Sequence, residues 1–250
     1  MKTLSLAAAM LLATAATAQG HDAARHAIQT ALANPARPAD DKVRDAARHP
    51  ADILVFAGVK PGAKVADFIM GGGYWTRLMS DVVGAKGKVY AYQPAQFIQF
   101  MPKYATQQDE AVKGRANVIP SRESLAEVAF AEPLDAIVTV QNYHDLHLKF
   151  APPGFAAKVN KRLYDALKPG GVLLVVDHVA TSDPGFALPE TLHRVDPAAA
   201  RAEIESAGFK FTGELPILRN PADPHTASVF DPAIKGKTDQ FVYRFVKPKG

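Results

Sequence analysis

The sequence predicts an α/β fold in which a mostly parallel sheet carries helices on both faces and closes with an antiparallel pair of strands. From residue 61 onward, short apolar segments alternate with segments of helical periodicity, and strands separated by helices pair in parallel through right-handed crossovers. The last two apolar segments break this alternation, because residues 219–239 between them contain three prolines and no helical period. A long loop therefore joins them, and we expect an antiparallel pair.

The predicted elements follow one another in a regular order. The turn Lys60-Pro61-Gly62 precedes the first strand, because proline and glycine interrupt regular structure. Asp196 and Pro197 are residue types preferred at the N-cap and first position of a helix. The elements are a strand at 64–69, a helix at 74–83, strand 88–92, helix 95–104, strand 116–119, strand 134–141, helix 155–167, strand 171–178, helix 197–207, strand 209–218 and strand 240–246.

The first residues have the three-part pattern of a secretory signal. A lysine precedes an apolar stretch at residues 4–13, and Ala16-Thr17-Ala18 is a small-residue cleavage site. We expect residues 1–18 to be removed from an exported protein, which is periplasmic if the source is a Gram-negative bacterium. The apolar stretch is shorter than the roughly 20 residues that cross a bilayer, so no stable membrane span is expected. A helical extension, residues 19–60, then precedes one domain, residues 61–250.

Composition excludes several classes of function. The 250-residue chain contains no cysteine, so it has no disulfide, no thiolate zinc site and no cysteine nucleophile. Its formal net charge of +4 is spread along the chain without a basic block, which argues against nucleic-acid binding. With 48% apolar residues, the chain can bury one sizeable core. We expect a small molecule as its partner and predict no particular oligomeric state.

The turn after the first strand is the first candidate binding site. In an open parallel sheet, ligands bind at the carboxyl ends of the strands, and the first strand-to-helix turn approaches them most closely. Here Gly71, Gly72 and Gly73 permit positive φ angles and a close backbone approach. Asp67, at the end of the strand, is placed to orient this turn or to accept a hydrogen bond from a ligand amine. A tight turn that merely connects the strand to the helix is the alternative.

Longer segments resemble the class I S-adenosylmethionine (SAM) dependent methyltransferases. The segment VADFIMGGGYWTRLM is similar to their first motif, and DALKPGGVLLVVDH is similar to their fifth strand and the helix before it. The segments HPADILVFAGVKPG, TVQNYHDLH, TLHRVDPAAARAEIESAGF and FDPAIKGKTDQFVYRF resemble a group of exported bacterial proteins described as predicted methyltransferases. The resemblance covers almost all of the chain after the signal. It implies a Rossmann-like, seven-stranded sheet with an antiparallel last strand, and SAM as the cofactor.

The resemblance also implies which residues hold the cofactor, and two positions depart from the family pattern. The implied cofactor-binding residues are Asp67, Gly71, Gly72, Gly73, Gln93 and Asn142. Ile69 occupies the position of the first glycine of the motif, which narrows the room beside the methionine part of SAM. Gln93 stands where the family has an acidic residue for both ribose hydroxyls. Since a carboxamide accepts fewer hydrogen bonds than a carboxylate, the affinity for the ribose is expected to fall.

A polar cluster follows the fourth strand, where the family places groups beside the transferred methyl. His144 and Asp145 are the predicted catalytic residues, because a carboxylate beside an imidazole raises its basicity, as deprotonation of an oxygen nucleophile requires. The candidates for contacting the substrate or covering the site are Tyr143, His178, His193 and Arg194. No metal is predicted, since adjacent residues such as His144 and Asp145 usually point apart and the spacing matches no metal-binding motif.

Three functions are compatible with these residues, and one is favoured. It is SAM-dependent methyl transfer to an unknown small molecule at an oxygen nucleophile, since the proline-rich segment typical of N-methyltransferases is missing after the fourth strand. A non-catalytic ligand-binding protein on the same scaffold is the main alternative, because SAM is made in the cytoplasm and the chain carries an export signal. A nicotinamide-dependent oxidoreductase is disfavoured by Gln93, because that class reads the ribose with a charged residue.

Overall fold

Residues 20–183 and 185–250 are described by a computed structural model of the chain. The predicted signal segment, residues 1–18, lies outside the described residues. Within the described ranges, no helix combines the length and the apolar character that crossing a membrane requires.

Seven strands form one mixed sheet. They are β1 (Lys64–Phe68), β2 (Lys88–Tyr92), β3 (Val118–Ser121), β4 (Leu134–Val140), β5 (Leu167–His178), β6 (Lys210–Glu214) and β7 (Gln240–Val246). Their order across the sheet is β3-β2-β1-β4-β5-β7-β6. Neighbours from β3 to β5 pair in parallel, whereas β7 is antiparallel to both β5 and β6. The predicted mostly parallel sheet with an antiparallel last strand is confirmed.

Helices precede the sheet and connect its strands. They are α1 (20–33), α2 (Ala39–Lys42), α3 (Asp45–Arg48), α4 (Pro50–Ala57), α5 (Tyr74–Val83), α6 (Ala95–Phe100), α7 (Lys103–Val112), α8 (Phe155–Ala166), α9 (Leu188–Leu192) and α10 (Pro197–Ser206). Short 3₁₀ helices lie at Leu125–Glu127, His144–His147 and Pro216–Leu218. Asp196 caps α10 as expected, because its side chain accepts a hydrogen bond from the N–H of Ala198.

Two hydrophobic cores lie on opposite faces of the sheet. Because side chains alternate along a strand, Val65 and Val138 belong to one core, whereas Ala66 and Ile137 belong to the other. Helices α1, α4 and α5 contribute to the first core, and α8 and α10 contribute to the second. The prediction of helices on both faces of the sheet is therefore confirmed.

Several elements begin or end a few residues from their predicted bounds, and two of them differ at a proline. The predicted helix at 95–104 is two helices, α6 and α7, because Pro102 begins a new helix instead of continuing the first. The second of these extends well beyond the predicted end. The predicted strand at 209–218 stops at Glu214, and Pro216 then begins a 3₁₀ turn.

Hydrogen bonds hold the N-terminal helices beside the start of α5. Asp41 in α2 is buried and accepts from Nε and Nη2 of Arg77 at 2.7 and 2.9 Å. Asp45 in α3 accepts from Nη1 of Arg37 at 2.7 Å and from the Tyr74 hydroxyl at 2.6 Å. Because Tyr74 and Arg77 lie on α5, these bonds place α2 and α3 next to the glycine turn that precedes this helix.

Candidate functional site

Two adjoining cavities lie at the carboxyl ends of the parallel strands. The smaller has a volume of about 170 Å³ and borders the glycine turn and α3. The larger has a volume of about 1040 Å³ and extends from the end of β2 to the segment after α9. Ile69, Gly71, Gln141 and Asn142 line both cavities. Both cavities therefore lie at the edge of the sheet where ligands are expected.

The three glycines of the turn contribute unequally to these cavities. Gly71 lines both cavities, Gly72 lines the smaller one, and Gly73 lines neither. Gly73 has a φ of +80°, and a Cβ at this position would lie 2.4 Å from the Cβ of Ala111. The close approach between the turn and α7 therefore requires Gly73. Gly73 thus has a packing role, and its predicted contact with the cofactor stays a prediction.

Ile69 has a strained backbone at the boundary between the two cavities. Its φ of 63° lies in the left-handed region, which costs a side-chain-bearing residue roughly 1–2 kcal/mol and is a marked outlier for a β-branched one. Gln141 and His193 also have left-handed backbones, at φ values of 62° and 53°, and both line the larger cavity. Strained residues of this kind cluster at functional sites.

Gln93 and Asn142 support the glycine turn through its backbone. The Gly71 N–H donates to Oε1 of Gln93 at 2.9 Å, and Nδ2 of Asn142 donates to the carbonyl oxygens of Ile69 and Val140 at 2.9 and 2.7 Å. Gln93 is completely buried, and its Nε2 has no hydrogen-bond partner among the described residues. Both side chains line the larger cavity, so both lie where the sequence predicts cofactor contact.

An acidic and a basic side chain face the smaller cavity. Asp67 is buried at the end of β1 and accepts a hydrogen bond from the Thr76 hydroxyl at 2.6 Å. Burial raises the pKa of Asp67 to about 6. Arg48 of α3 lines the same cavity and, within the described ranges, its guanidinium makes no hydrogen bond or ion pair. Arg48 is not among the predicted site residues, because its position depends on how the N-terminal helices pack.

His144 forms a buried pair with Asp177 of β5. Nδ1 of His144 lies 2.9 Å from Oδ1 of Asp177, and the backbone N–H of His144 donates to Oδ2 at 2.8 Å. Burial lowers the pKa of His144, but attraction by Asp177 and Asp145 outweighs burial and raises that pKa to about 9. Asp145 is the carboxylate predicted to act on His144. Asp177 makes the closer contact and is missing from the predicted site residues.

Asp145 and His193 complete a cluster around Nε2 of His144. Nδ1 of His193 lies 3.3 Å from this nitrogen, and Oδ1 of Asp145 lies 3.4 Å from it. Burial raises the pKa of Asp145 to about 6. The pKa of His193 is lowered, mainly by burial and to a lesser extent by repulsion from His144. All three side chains line the larger cavity. The structure therefore brings both predicted catalytic residues together with one predicted covering residue.

The remaining substrate candidates differ in position. His178 lines the larger cavity, and its Nδ1 lies 2.7 Å from the Thr238 hydroxyl. Burial lowers the pKa of His178 to about 4, so its ring is neutral at neutral pH. Arg194 and Tyr143 line neither cavity, contrary to the prediction. Arg194 is buried against Asp223, and Tyr143 points into the second core.

Aromatic side chains surround the outer part of the larger cavity. Phe100, Phe150 and Phe230 are 83%, 44% and 59% exposed, and they line this cavity together with Phe97 and Tyr104. Exposed aromatic residues that gather around a cavity mark a binding surface. They escape prediction because they lie far apart in the sequence and give no local motif.

Comparisons with known proteins bear on the fold. No family model and no curated protein matches the sequence. Among solved structures, the chain is similar to a SAM-dependent methyltransferase from Aquifex aeolicus, with a TM-score of 0.59 and 23% identity over 83% of this chain and 94% of that one. It is also similar to the N-methyltransferase NodS from Bradyrhizobium japonicum WM9, with a TM-score of 0.56 and 13% identity over 84% of this chain and 99% of that one.

A third similar structure is described as a [4+2]-cyclase, SpnF, with a TM-score of 0.58 and 16% identity over 82% of each chain. A cyclase and two methyltransferases on one architecture illustrate that a fold hosts more than one reaction. The residues that face the cavities must therefore decide the chemistry. By its sheet order and by these similarities, the chain has the fold of the class I SAM-dependent methyltransferases.

Proposed function

We propose that this protein is a SAM-dependent methyltransferase that acts on an oxygen atom of a small molecule. The main support is the placement of Asp67 and Arg48 around one small cavity at the glycine turn. The amino-acid end of SAM bears an ammonium and a carboxylate, and these charges complement a carboxylate and a guanidinium.

The residues around the turn suit the whole cofactor. Asp67 uses Oδ2 for the Thr76 hydroxyl, which leaves Oδ1 for the ammonium, while Arg48 and Arg44 line the cavity as partners for the carboxylate. Gln93 lines the larger cavity, which has room for the nucleoside part and for an acceptor molecule. When bound, SAM supplies an electrophilic methyl group.

His144 is the residue best placed to activate an acceptor oxygen. Asp177 holds Nδ1 of His144 at 2.9 Å, so Nε2 is the nitrogen that remains for the cavity. Two nearby carboxylates raise the pKa of His144 to about 9, so its unprotonated form, which gains population as the pH rises, is a strong proton acceptor. The exposed phenylalanines at the cavity mouth suit an apolar or aromatic acceptor that carries a hydroxyl group. Orientation of the reactants and exclusion of water supply most of the remaining rate enhancement.

Isothermal titration of SAM into the purified protein tests this function. We expect a micromolar dissociation constant for SAM and for its demethylated product. The Arg48→Gln variant should bind SAM about 10- to 100-fold more weakly, because a hydrogen bond between charged groups contributes about 1.5–3 kcal/mol. Arg162→Gln is the matched control, since Arg162 is an exposed arginine of α8 that lines neither cavity.

Two outcomes of this titration would contradict the proposal. No binding near millimolar SAM would favour a non-catalytic ligand-binding protein on the same scaffold. Equal affinity of Arg48→Gln and the unchanged protein would show that the smaller cavity does not hold the amino-acid end of SAM. Where SAM binds, the Arg162→Gln variant should retain full affinity.

We also propose that the protein is exported, on the basis of the signal pattern in residues 1–18. An exported methyltransferase would require SAM outside the cytoplasm, so location and activity are linked in this proposal. Mass spectrometry of the protein purified from its native cells should show an N-terminus at residue 19. An intact residue 1 in that spectrum would contradict cleavage.

A further inference from the structure

We infer that His144, Asp145 and His193 bind a divalent metal ion at the inner end of the larger cavity. One donor atom from each of the three residues lies within 4.8 Å of the others, and Nε2 of His144 is close to both Nδ1 of His193 and Oδ1 of Asp145. Two imidazoles and one carboxylate are a donor set of zinc and non-haem iron(II) centres. The prediction of no metal assumed that His144 and Asp145 point apart. The 3₁₀ turn His144–His147 instead brings both to one side.

Two of the three separations between the donor atoms match a tetrahedral ion. With metal–ligand bonds of about 2.0–2.1 Å, two ligands of a tetrahedral zinc ion lie about 3.3 Å apart. The distances from Nε2 of His144 to His193 and to Asp145 are 3.3 and 3.4 Å. These separations are longer than good hydrogen bonds between such atoms. A shared ion at this position therefore fits these two separations.

Asp177 provides the support that histidine ligands have in metal sites. A ligating histidine usually donates its second ring N–H to a carboxylate, which fixes both the tautomer and the orientation of the ring. Nδ1 of His144 lies 2.9 Å from Oδ1 of Asp177, so Nε2 is the nitrogen available to the ion, and metal binding would displace the proton it carries. Asp177 is itself fixed by the backbone N–H groups of His144 and His178, at 2.8 and 2.7 Å.

The proposed ion would have an open side toward the larger cavity, since all three ligands line that cavity. Three protein ligands and one open position distinguish catalytic zinc sites from structural ones. His193 ends α9 with a left-handed φ of 53°, a conformation that is maintained only when its surroundings enforce it. The surroundings that enforce this conformation thus also fix the position of the third ligand.

A metal at this site would also define the class of acceptor. An oxygen bound to a divalent ion loses its proton more readily, so the acceptor would be a hydroxyl compound that can ligate the ion. With Nε2 of His144 bound to the ion, His144 could not accept that proton, so the ion would take over the activation of the oxygen and the proton would pass to solvent. This consequence rests on the proposed methyltransferase function, whereas metal binding itself requires no SAM.

Titration of Zn²⁺ into chelator-treated, dialysed protein tests the inference. We expect one ion per chain with micromolar or tighter affinity, and Co²⁺ in its place should show the intense visible absorption of four-coordinate cobalt. His193→Ala removes a ligand and should weaken zinc binding by more than about 100-fold. Asp177→Asn removes only the support of a ligand and should weaken it by about 10- to 100-fold.

His178→Asn is the matched control, because His178 lines the same cavity without being one of the three ligands. We expect its zinc affinity to stay within a few-fold of the unchanged protein, and circular dichroism of each metal-free variant verifies its folding. Absence of stoichiometric binding at millimolar zinc, unchanged binding by His193→Ala, or loss of binding in folded His178→Asn would each overturn the inference. Titration of SAM into the same metal-free protein separates this result from the proposed function.

Discussion

Arg194→Ala should lower the free energy of unfolding by about 3–5 kcal/mol, because it leaves a buried carboxylate without its partner. The side chains of Arg194 and Asp223 are both completely buried, and two hydrogen bonds of 2.8 and 3.0 Å join them. Arg194 also donates to the carbonyl oxygens of Val179 and Ala227, which would lose a donor. Denaturant unfolding followed by the fluorescence of Trp75, the single tryptophan, measures the change.

The same ion pair makes part of the stability dependent on pH. Burial raises the pKa of Asp223, but hydrogen bonds from Arg194 and from backbone N–H groups outweigh burial and hold that pKa below its ordinary value. Such a carboxylate contributes stability above its unfolded-state pKa and loses it as the pH falls through the folded-state pKa. Arg194→Ala should therefore reduce the loss of stability in acid.

The control for this prediction is Arg162→Ala, which removes an exposed arginine and should change the free energy of unfolding by no more than about 0.5 kcal/mol. If Arg194→Ala also changed it by less than about 1 kcal/mol, the buried ion pair would not make the expected contribution to stability.

Gly73→Ala should lower the free energy of unfolding by about 2–4 kcal/mol, the sum of a left-handed backbone and an overpacked contact. The φ of Gly73 is +80°, and the added Cβ would lie 2.4 Å from the Cβ of Ala111. Ala111 is completely buried on α7, so neither element can move away without disturbing the first core. Thermal unfolding by calorimetry or circular dichroism measures the effect.

Two further variants separate the destabilising effect of the contact with Ala111 from that of the left-handed backbone. Gly72→Ala is the matched control, because its nearest neighbour would be Nε2 of Gln107 at 3.9 Å and its φ is not left-handed. Ala111→Gly introduced into the Gly73→Ala variant removes the clashing methyl and should restore part of the lost stability. Equal stability of Gly73→Ala and Gly72→Ala would contradict the assigned packing role.

Most of the sheet is predictable because the physical signals are local. Alternation of apolar and helical segments gives the parallel strands, and the proline-rich stretch 219–239 separates the antiparallel pair. The split between α6 and α7 lies at Pro102, a residue visible in the sequence. Proline is common both in the first turn of a helix and just beyond the end of one, so the sequence alone does not fix where the new helix begins.

The candidate site is predictable only where one segment carries it. His144 and Asp145 follow a strand directly, so the sheet edge places them. Asp177 and Arg48 acquire their roles from neighbours that are distant in the sequence: Asp177 because β5 pairs with β4, and Arg48 because α3 docks beside α5. Arg194 is the opposite case, since a charged residue next to His193 has the appearance of a site residue until its buried partner Asp223 is known.

The position of His193 next to Arg194 links ligand affinity to folding stability. His193 faces the larger cavity, and the next residue holds the segment 219–239 through Asp223. Phe230, which belongs to that segment, packs against the ring of His193, with 4.8 Å between the ring centres. A ligand that binds only to this arrangement therefore stabilises the ordered segment through its binding free energy. Selection for tighter or weaker ligand binding would thus act on the same few residues that contribute to folding stability.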